Sequence, residues 1–150
     1  MNKHSKIMPP TYFLMCLVVA ILISFLFPFA KVINDSYVYI GIPIIIGGII
    51  LEFWADTLFK KRKTTVQPFK KSSALVTEGP FRISRNPMYL GFVLILLGLT
   101  ILFGNILVIF VPIALIVTFE LIFIPDEERL LEETFKDEYL RYKKQVRKWL

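Results

Sequence analysis

A chain of 150 residues that is 55% hydrophobic, with a mean hydropathy of +0.62, lies far outside the composition of a soluble domain and suits a single membrane-embedded one. Its formal net charge of +6 sits beside apolar runs, where attraction to anionic lipid headgroups accounts for it, and no aromatic and basic recognition module argues for nucleic acid. A single cysteine, Cys16, lies within an apolar run and excludes an intramolecular disulfide and any cysteine-based metal site; no metal is expected.

The first apolar run, 12–30, has no charged residue and matches the ~20 residues needed to cross ~30 Å of hydrocarbon. It is too long for a typical signal-peptide core, and Pro28-Phe29-Ala30-Lys31 is a poor cleavage site, so a retained span is expected. A second span covers 37–59, with Gly41, Gly47 and Gly48 available for close helix contact and a polar end at Glu52 and Asp56. The short connection between them predicts an antiparallel hairpin. The stretch from Met88 to Ile124 would measure ~55 Å as one straight helix, more than the bilayer can hold. Gly104-Asn105 is the dipeptide best able to turn it, which predicts a second hairpin of 89–103 and 106–124.

The expected fold is therefore all-α: an integral membrane bundle of about four transmembrane helices in two hairpins, with a loop over 60–88 and a C-terminal amphipathic helix over 126–149. In that last segment Leu131, Phe135, Tyr139, Tyr142, Val146 and Trp149 recur at spacings of three or four and draw one apolar stripe, on whose face Glu127 also projects. Lysine and arginine are concentrated in the N-terminal tail, in the 60–88 loop and after Pro125, whereas Lys31 alone marks the opposite side. The positive-inside rule thus predicts both termini and the central loop in the cytoplasm.

The chemistry is expected between Gly79 and Gly91. Pro80 and Pro87 remove backbone donors and push the residues before them toward extended conformations, so this stretch is a rigid, non-helical approach to the third span. Arg82, Arg85, Asn86 and Tyr89 crowd around it, where the N–H groups of the helix start also point, and together they suit an anionic group. Glu120 is an ionisable group inside the fourth span and a functional candidate for that reason. Asp126, Glu127 and Glu128 can equally be helix N-terminal chemistry, opposing the macrodipole by ~0.3–1 kcal/mol each.

The ordered series Leu75-Val76-Thr77-Glu78-Gly79-Pro80-Phe81, Arg85-Asn86-Pro87-Met88-Tyr89-Leu90-Gly91, an apolar hairpin, Glu127-Glu128-Arg129-Leu130-Leu131 and Phe135-Lys136-Asp137-Glu138-Tyr139 resembles the isoprenylcysteine carboxyl methyltransferase family over residues 67–150. Membrane phospholipid N-methyltransferases share the general pattern. The resemblance implies an S-adenosylmethionine-dependent methyltransferase acting on a lipophilic or lipidated acceptor that arrives from the membrane. It implies that Leu75, Val76 and Phe81 line the cofactor pocket, that Tyr89 and Glu127 bind the cofactor, and that Gln67 adds an upstream contact. Asn86 stands where the family has histidine, and Phe123 where the prenylcysteine enzymes have a substrate-binding arginine. A carboxylate acceptor needs no general base, whereas an ammonium must lose a proton, for which Glu120 or Glu128 can serve. A nicotinamide-dependent membrane reductase and a noncatalytic protein retaining the fold are the alternatives.

Overall fold

Two consecutive prolines open the first helix, α1 (Pro9–Leu26), where their missing N–H groups would have had no intrahelical partner in any case. The expected span of 12–30 ends sooner, because Pro28 cannot donate to the turn before it; a 3₁₀ turn at Pro28–Ala30 succeeds it. The structure, a computed structural model, describes residues 8–33, 35–62 and 73–150. After a single helical turn, α2 (Asp35–Val38), the chain returns as α3 (Gly41–Lys61). A 3₁₀ turn at Gly79–Arg82 then leads into α4 (Pro87–Phe103).

At the end of α4 the chain turns on Gly104, whose φ of 65° is open to glycine at no steric cost. Its carbonyl accepts the N–H groups of Val32 and Ile33 at 2.8 and 3.2 Å, and the Asn105 amide donates to the Phe27 carbonyl at 2.9 Å. One residue pair thereby ends a helix and ties the two hairpin turns on that side of the membrane together. The return limb has a 3₁₀ turn at Ile106–Ile109, then α5 (Phe110–Thr118), a π-helical turn at Phe119–Phe123, and α6 (Ile124–Phe135), with no break in helical conformation.

By its place in the sequence Pro125 should separate the fourth span from the C-terminal segment, yet helix runs straight through it. Its ring would crowd the carbonyl four residues earlier and its nitrogen offers no hydrogen bond; the wider π turn just before it absorbs both demands. The expected single helix over 126–149 is instead α6 and a separate α7 (Asp137–Gln145), broken at Lys136 with φ 46° and ψ −120°. The break re-aims the apolar stripe. Tyr139 and Tyr142 turn back onto Ala55 of α3 and onto Val76 and Phe81 before α4, burying both rings, and that burial offsets the strained Lys136 backbone.

Three helical stretches, Pro9–Leu26, Ser36–Lys61 and Ile106–Phe135, are long and apolar enough to cross a membrane, and α4 is a shorter apolar helix of 17 residues. Leu14, Met15 and Val18 of α1 and Phe53 of α3 remain exposed, as lipid-facing side chains should. A main core joins α1, α4, α5 and the π turn around Ala20, Leu96, Leu115, Phe119 and Phe123.

The α3–α4 pair is held by close backbone approach through Gly41, Gly48, Gly91 and Gly98. A Cβ at Gly48 would stand 2.8 Å from the Gly91 carbonyl oxygen and 2.9 Å from Ile95 Cγ1, whereas at Gly47 it would meet nothing within 4 Å. Small residues at such a seam let van der Waals packing drive helix association in lipid. Gly48→Leu is therefore expected to destabilise the protein by about 1–3 kcal/mol through overpacking, and Gly47→Ala to be tolerated. Thermal unfolding of the two variants in detergent checks the contrast.

Candidate functional site

Pro87 starts α4 and leaves Ser84, Arg85 and Asn86 in irregular backbone directly before it. Each of these residues binds the C-terminal tail. The Arg85 N–H donates to the Arg147 carbonyl at 3.0 Å, and the Lys148 carbonyl accepts from Ser84 Oγ and Asn86 Nδ2, both at 3.1 Å. Asn86 thus acts as a neutral hydrogen-bond donor that fastens the tail across the motif, a task that needs no titratable ring.

The two arginines of the motif part company. Arg82 is exposed. Arg85 has only 8% of its side chain exposed, places Nη2 2.9 Å from Glu128 Oε1, and donates from Nη1 to the Lys143 carbonyl at 3.3 Å. Lys143 closes the group, 3.1 Å from Glu128 Oε2 and 2.6 Å from Glu132 Oε1, and the Glu132 hydrogen bond holds its ammonium above the usual lysine range. Arg85 Nε and Glu128 Oε1 are both enclosed without a hydrogen-bond partner among the described residues. The Arg85–Glu128 contact is accordingly a close ion pair without good hydrogen-bond alignment, and it leaves one donor and one acceptor to spare.

Next to this group, the Tyr89 hydroxyl donates to Glu127 Oε1 at 2.6 Å. The spacing from Glu127 to Leu131 placed that carboxylate on the inward face, and α6 does turn it toward α4. Tyr89 stacks on Phe119 at 4.3 Å, and Phe123, fully buried, meets Phe119 at 6.1 Å and Tyr12 of α1 at 5.4 Å. Aromatic rings therefore surround Phe123.

Leu75, Val76 and Phe81 come together in the cluster with Ala55, Tyr139 and Tyr142. The Tyr142 hydroxyl donates to the Phe81 carbonyl at 2.7 Å, and burial raises the pKa of its phenol. Glu120 is taken up structurally: its carboxylate binds Lys148 Nζ at 2.8 Å and Trp149 Nε1 at 2.6 Å, pinning the tail to the π turn. Gln67 lies outside the described residues. Arg62 and Glu78, on either side of residues 63–72, pair at 2.9 Å, and that hydrogen bond lowers the Glu78 pKa.

Sequence reasoning passed over Tyr142, Lys143 and Glu52 as site residues. The first two were legible only as parts of an amphipathic helix. Glu52 read as the polar end of a span, although a carboxylate inside an apolar helix was itself a signal.

The helices and the enclosed polar group together define a multi-pass, all-helical membrane protein with a cluster of enclosed charges where α4 begins. The chain belongs to the phospholipid methyltransferase family, whose profile matches residues 36–138. Over 63 residues it is 46% identical to an uncharacterized protein of Haemophilus influenzae (strain ATCC 51907 / DSM 11121 / KW20 / Rd), covering 42% of this chain and all of that one. It is also similar to the solved structure of the eukaryotic intramembrane Ras methyltransferase, isoprenylcysteine carboxyl methyltransferase, with a TM-score of 0.70 and 27% identity over 100% of this chain and 53% of that one. The chain thus spans about half the length of that enzyme.

Replacing Arg85 by Met leaves Glu128 with Lys143 as its remaining cation and frees the Lys143 carbonyl, which is expected to cost about 1–3 kcal/mol, whereas Arg82→Met at the exposed neighbour should cost less than ~0.5 kcal/mol. Thermal unfolding of both variants against the parent protein measures the difference.

Proposed function

We propose that this protein is an S-adenosylmethionine-dependent methyltransferase acting on a lipophilic acceptor. The observation that carries the reading is the enclosed Tyr89–Glu127 pair beside an Arg85 whose Nε has no bond to make among the described residues. The amino-acid end of S-adenosylmethionine bears one ammonium and one carboxylate. A spare guanidinium donor and buried carboxylates match that pattern of opposite charges. Arg85 would hold the carboxylate and Glu127, oriented by Tyr89, a hydrogen-bond donor of the cofactor, while Leu75, Val76 and Phe81 provide apolar lining. Asn86 contributes by fastening the tail. When bound, the cofactor supplies a methyl group already activated on sulfur, so the protein's work is orientation and the exclusion of water.

The acceptor can be argued from charge. The family resemblance and the similarity to isoprenylcysteine carboxyl methyltransferase suggest a prenylcysteine carboxylate. That group would find Phe123 in place of a countercharge, the Phe119, Tyr12 and Tyr89 rings around it, and Glu127 bound to Tyr89. Carboxylates and aromatic faces favour a cation instead. A lipid amine headgroup is therefore the better acceptor, approaching sideways through the bilayer. By the positive-inside rule the site, the 60–88 loop and both termini face the cytoplasm.

Titration calorimetry in detergent or lipid should detect S-adenosylmethionine binding and none of NADPH. Tyr89→Phe and Glu127→Ala should each weaken it about tenfold or more, which is at least ~1.4 kcal/mol. A parent protein that binds NADPH instead would be a reductase, and one that binds neither would be noncatalytic; either result refutes the proposal.

A further inference from the structure

Glu52 is an ionisable group within the bundle that the site leaves without a role. It projects from α3 well inside the helix end at Lys61 and lies against Gly91 in the first turns of α4; a Cβ built on Gly91 would come within 2.9 Å of Glu52 Cγ. Only a glycine at 91 leaves room for it. Tyr89 lies two positions before Gly91 on α4, so Glu52 borders the group just described. Oε1 is sealed from solvent and has no hydrogen-bond partner among the described residues. The next acid along the same helix face behaves differently, since Asp56 pairs with Lys60 at 2.5 Å. An ionisable group at this depth costs several kcal/mol unless something compensates it, and a purely structural carboxylate would use its oxygens.

We propose that Glu52 is a catalytic carboxylate that receives the ammonium headgroup of the acceptor lipid and takes its proton. The assignment rests on the amine reading of the acceptor given above. An ammonium nitrogen has no lone pair with which to attack carbon. One N–H proton passes to a Glu52 oxygen and leaves its electron pair on nitrogen. That pair forms the new N–CH₃ bond as the methyl carbon's bond to sulfur breaks, both electrons of the broken bond staying on sulfur. Glu52 then releases the proton to water, so each methyl transferred liberates one proton.

The test uses the full chain in lipid nanodiscs, with Glu52→Gln and Glu52→Asp beside the parent protein. Without cofactor, a short-chain ethanolamine-headgroup lipid should raise the melting temperature of the parent and leave that of Glu52→Gln unchanged, while S-adenosylmethionine affinity stays within about twofold. Methylation of the ethanolamine lipid should fall about 100-fold or more in Glu52→Gln, the usual range for loss of a general base. An aminooxy-headgroup lipid is already largely neutral at pH 7, so its methylation should fall less than ~10-fold. Glu52→Asp should recover part of the ethanolamine rate, and if Glu52→Gln does not fold, Glu52→Asp carries the same comparison, losing more rate on the ethanolamine lipid than on the aminooxy lipid. Equal losses on both lipids, or none on either, overturn the assignment. A parent protein that binds S-adenosylmethionine but neither binds nor methylates the amine lipid overturns it too, and leaves the cofactor reading standing. If the parent binds no S-adenosylmethionine, the cofactor reading fails, and the melting shift alone confirms or refutes recognition of the ammonium by Glu52.

Discussion

Enclosing the Arg85 guanidinium is the constraint on which the rest of the polar architecture depends. A buried cation costs several kcal/mol unless it is paired and hydrogen-bonded, so the chain must bring partners to it from distant positions. Glu128 arrives on α6, the Lys143 carbonyl on α7, and the Arg147 carbonyl on the tail, the last binding the Arg85 backbone. Along a single straight helix Glu128 and Lys143 would lie ~22 Å apart and could not both reach Arg85. The turn at Lys136 is the geometric consequence, and the buried Tyr139 and Tyr142 rings help to hold it.

That arrangement explains why side chains that look catalytic in isolation have structural work. Glu120 in the π turn clasps Lys148 and Trp149, and Asn86 clasps the Lys148 carbonyl from the other side. The tail is thereby stitched both to the membrane helix and to the motif, which seals the flank of the site. Water excluded in this way strengthens every electrostatic contact within, including the Tyr89–Glu127 hydrogen bond. On the membrane side, the Phe119, Phe123 and Tyr12 rings close the site with an apolar wall. On the α3 side, Gly91 leaves a notch that Glu52 enters.

Local signals made several features legible. Pro87 marks a helix start because a first-turn residue needs no donor, and Gly104 marks a reversal because its backbone takes a positive φ; the prolines at 9 and 10 start α1 before the span read from residue 12. The inward direction of Glu127 was readable from its spacing to Leu131. The periodicity of Tyr139 and Tyr142 correctly announced burial, but it could not reveal that Lys136 would bend the helix between Leu131 and Tyr139. Pro125 misled as a boundary for a related reason. A proline signals a missing hydrogen bond, and whether the chain breaks or merely widens its turn depends on what packs around it.

By itself the sequence determined the membrane-embedded, all-helical character of the protein, the number of apolar spans and the place of the polar motif, because hydrophobic length and proline or glycine geometry act within a few neighbouring residues. Tertiary structure alone decided which charges are enclosed and which are paired. Arg85 faces inward and Arg82 outward although three positions separate them; Glu120 and Asn86 are bound to the tail; Glu52 has an oxygen with no hydrogen-bond partner among the described residues. Pairing energies for buried charges depend on the distance and alignment of groups tens of residues apart, and only the folded packing sets those.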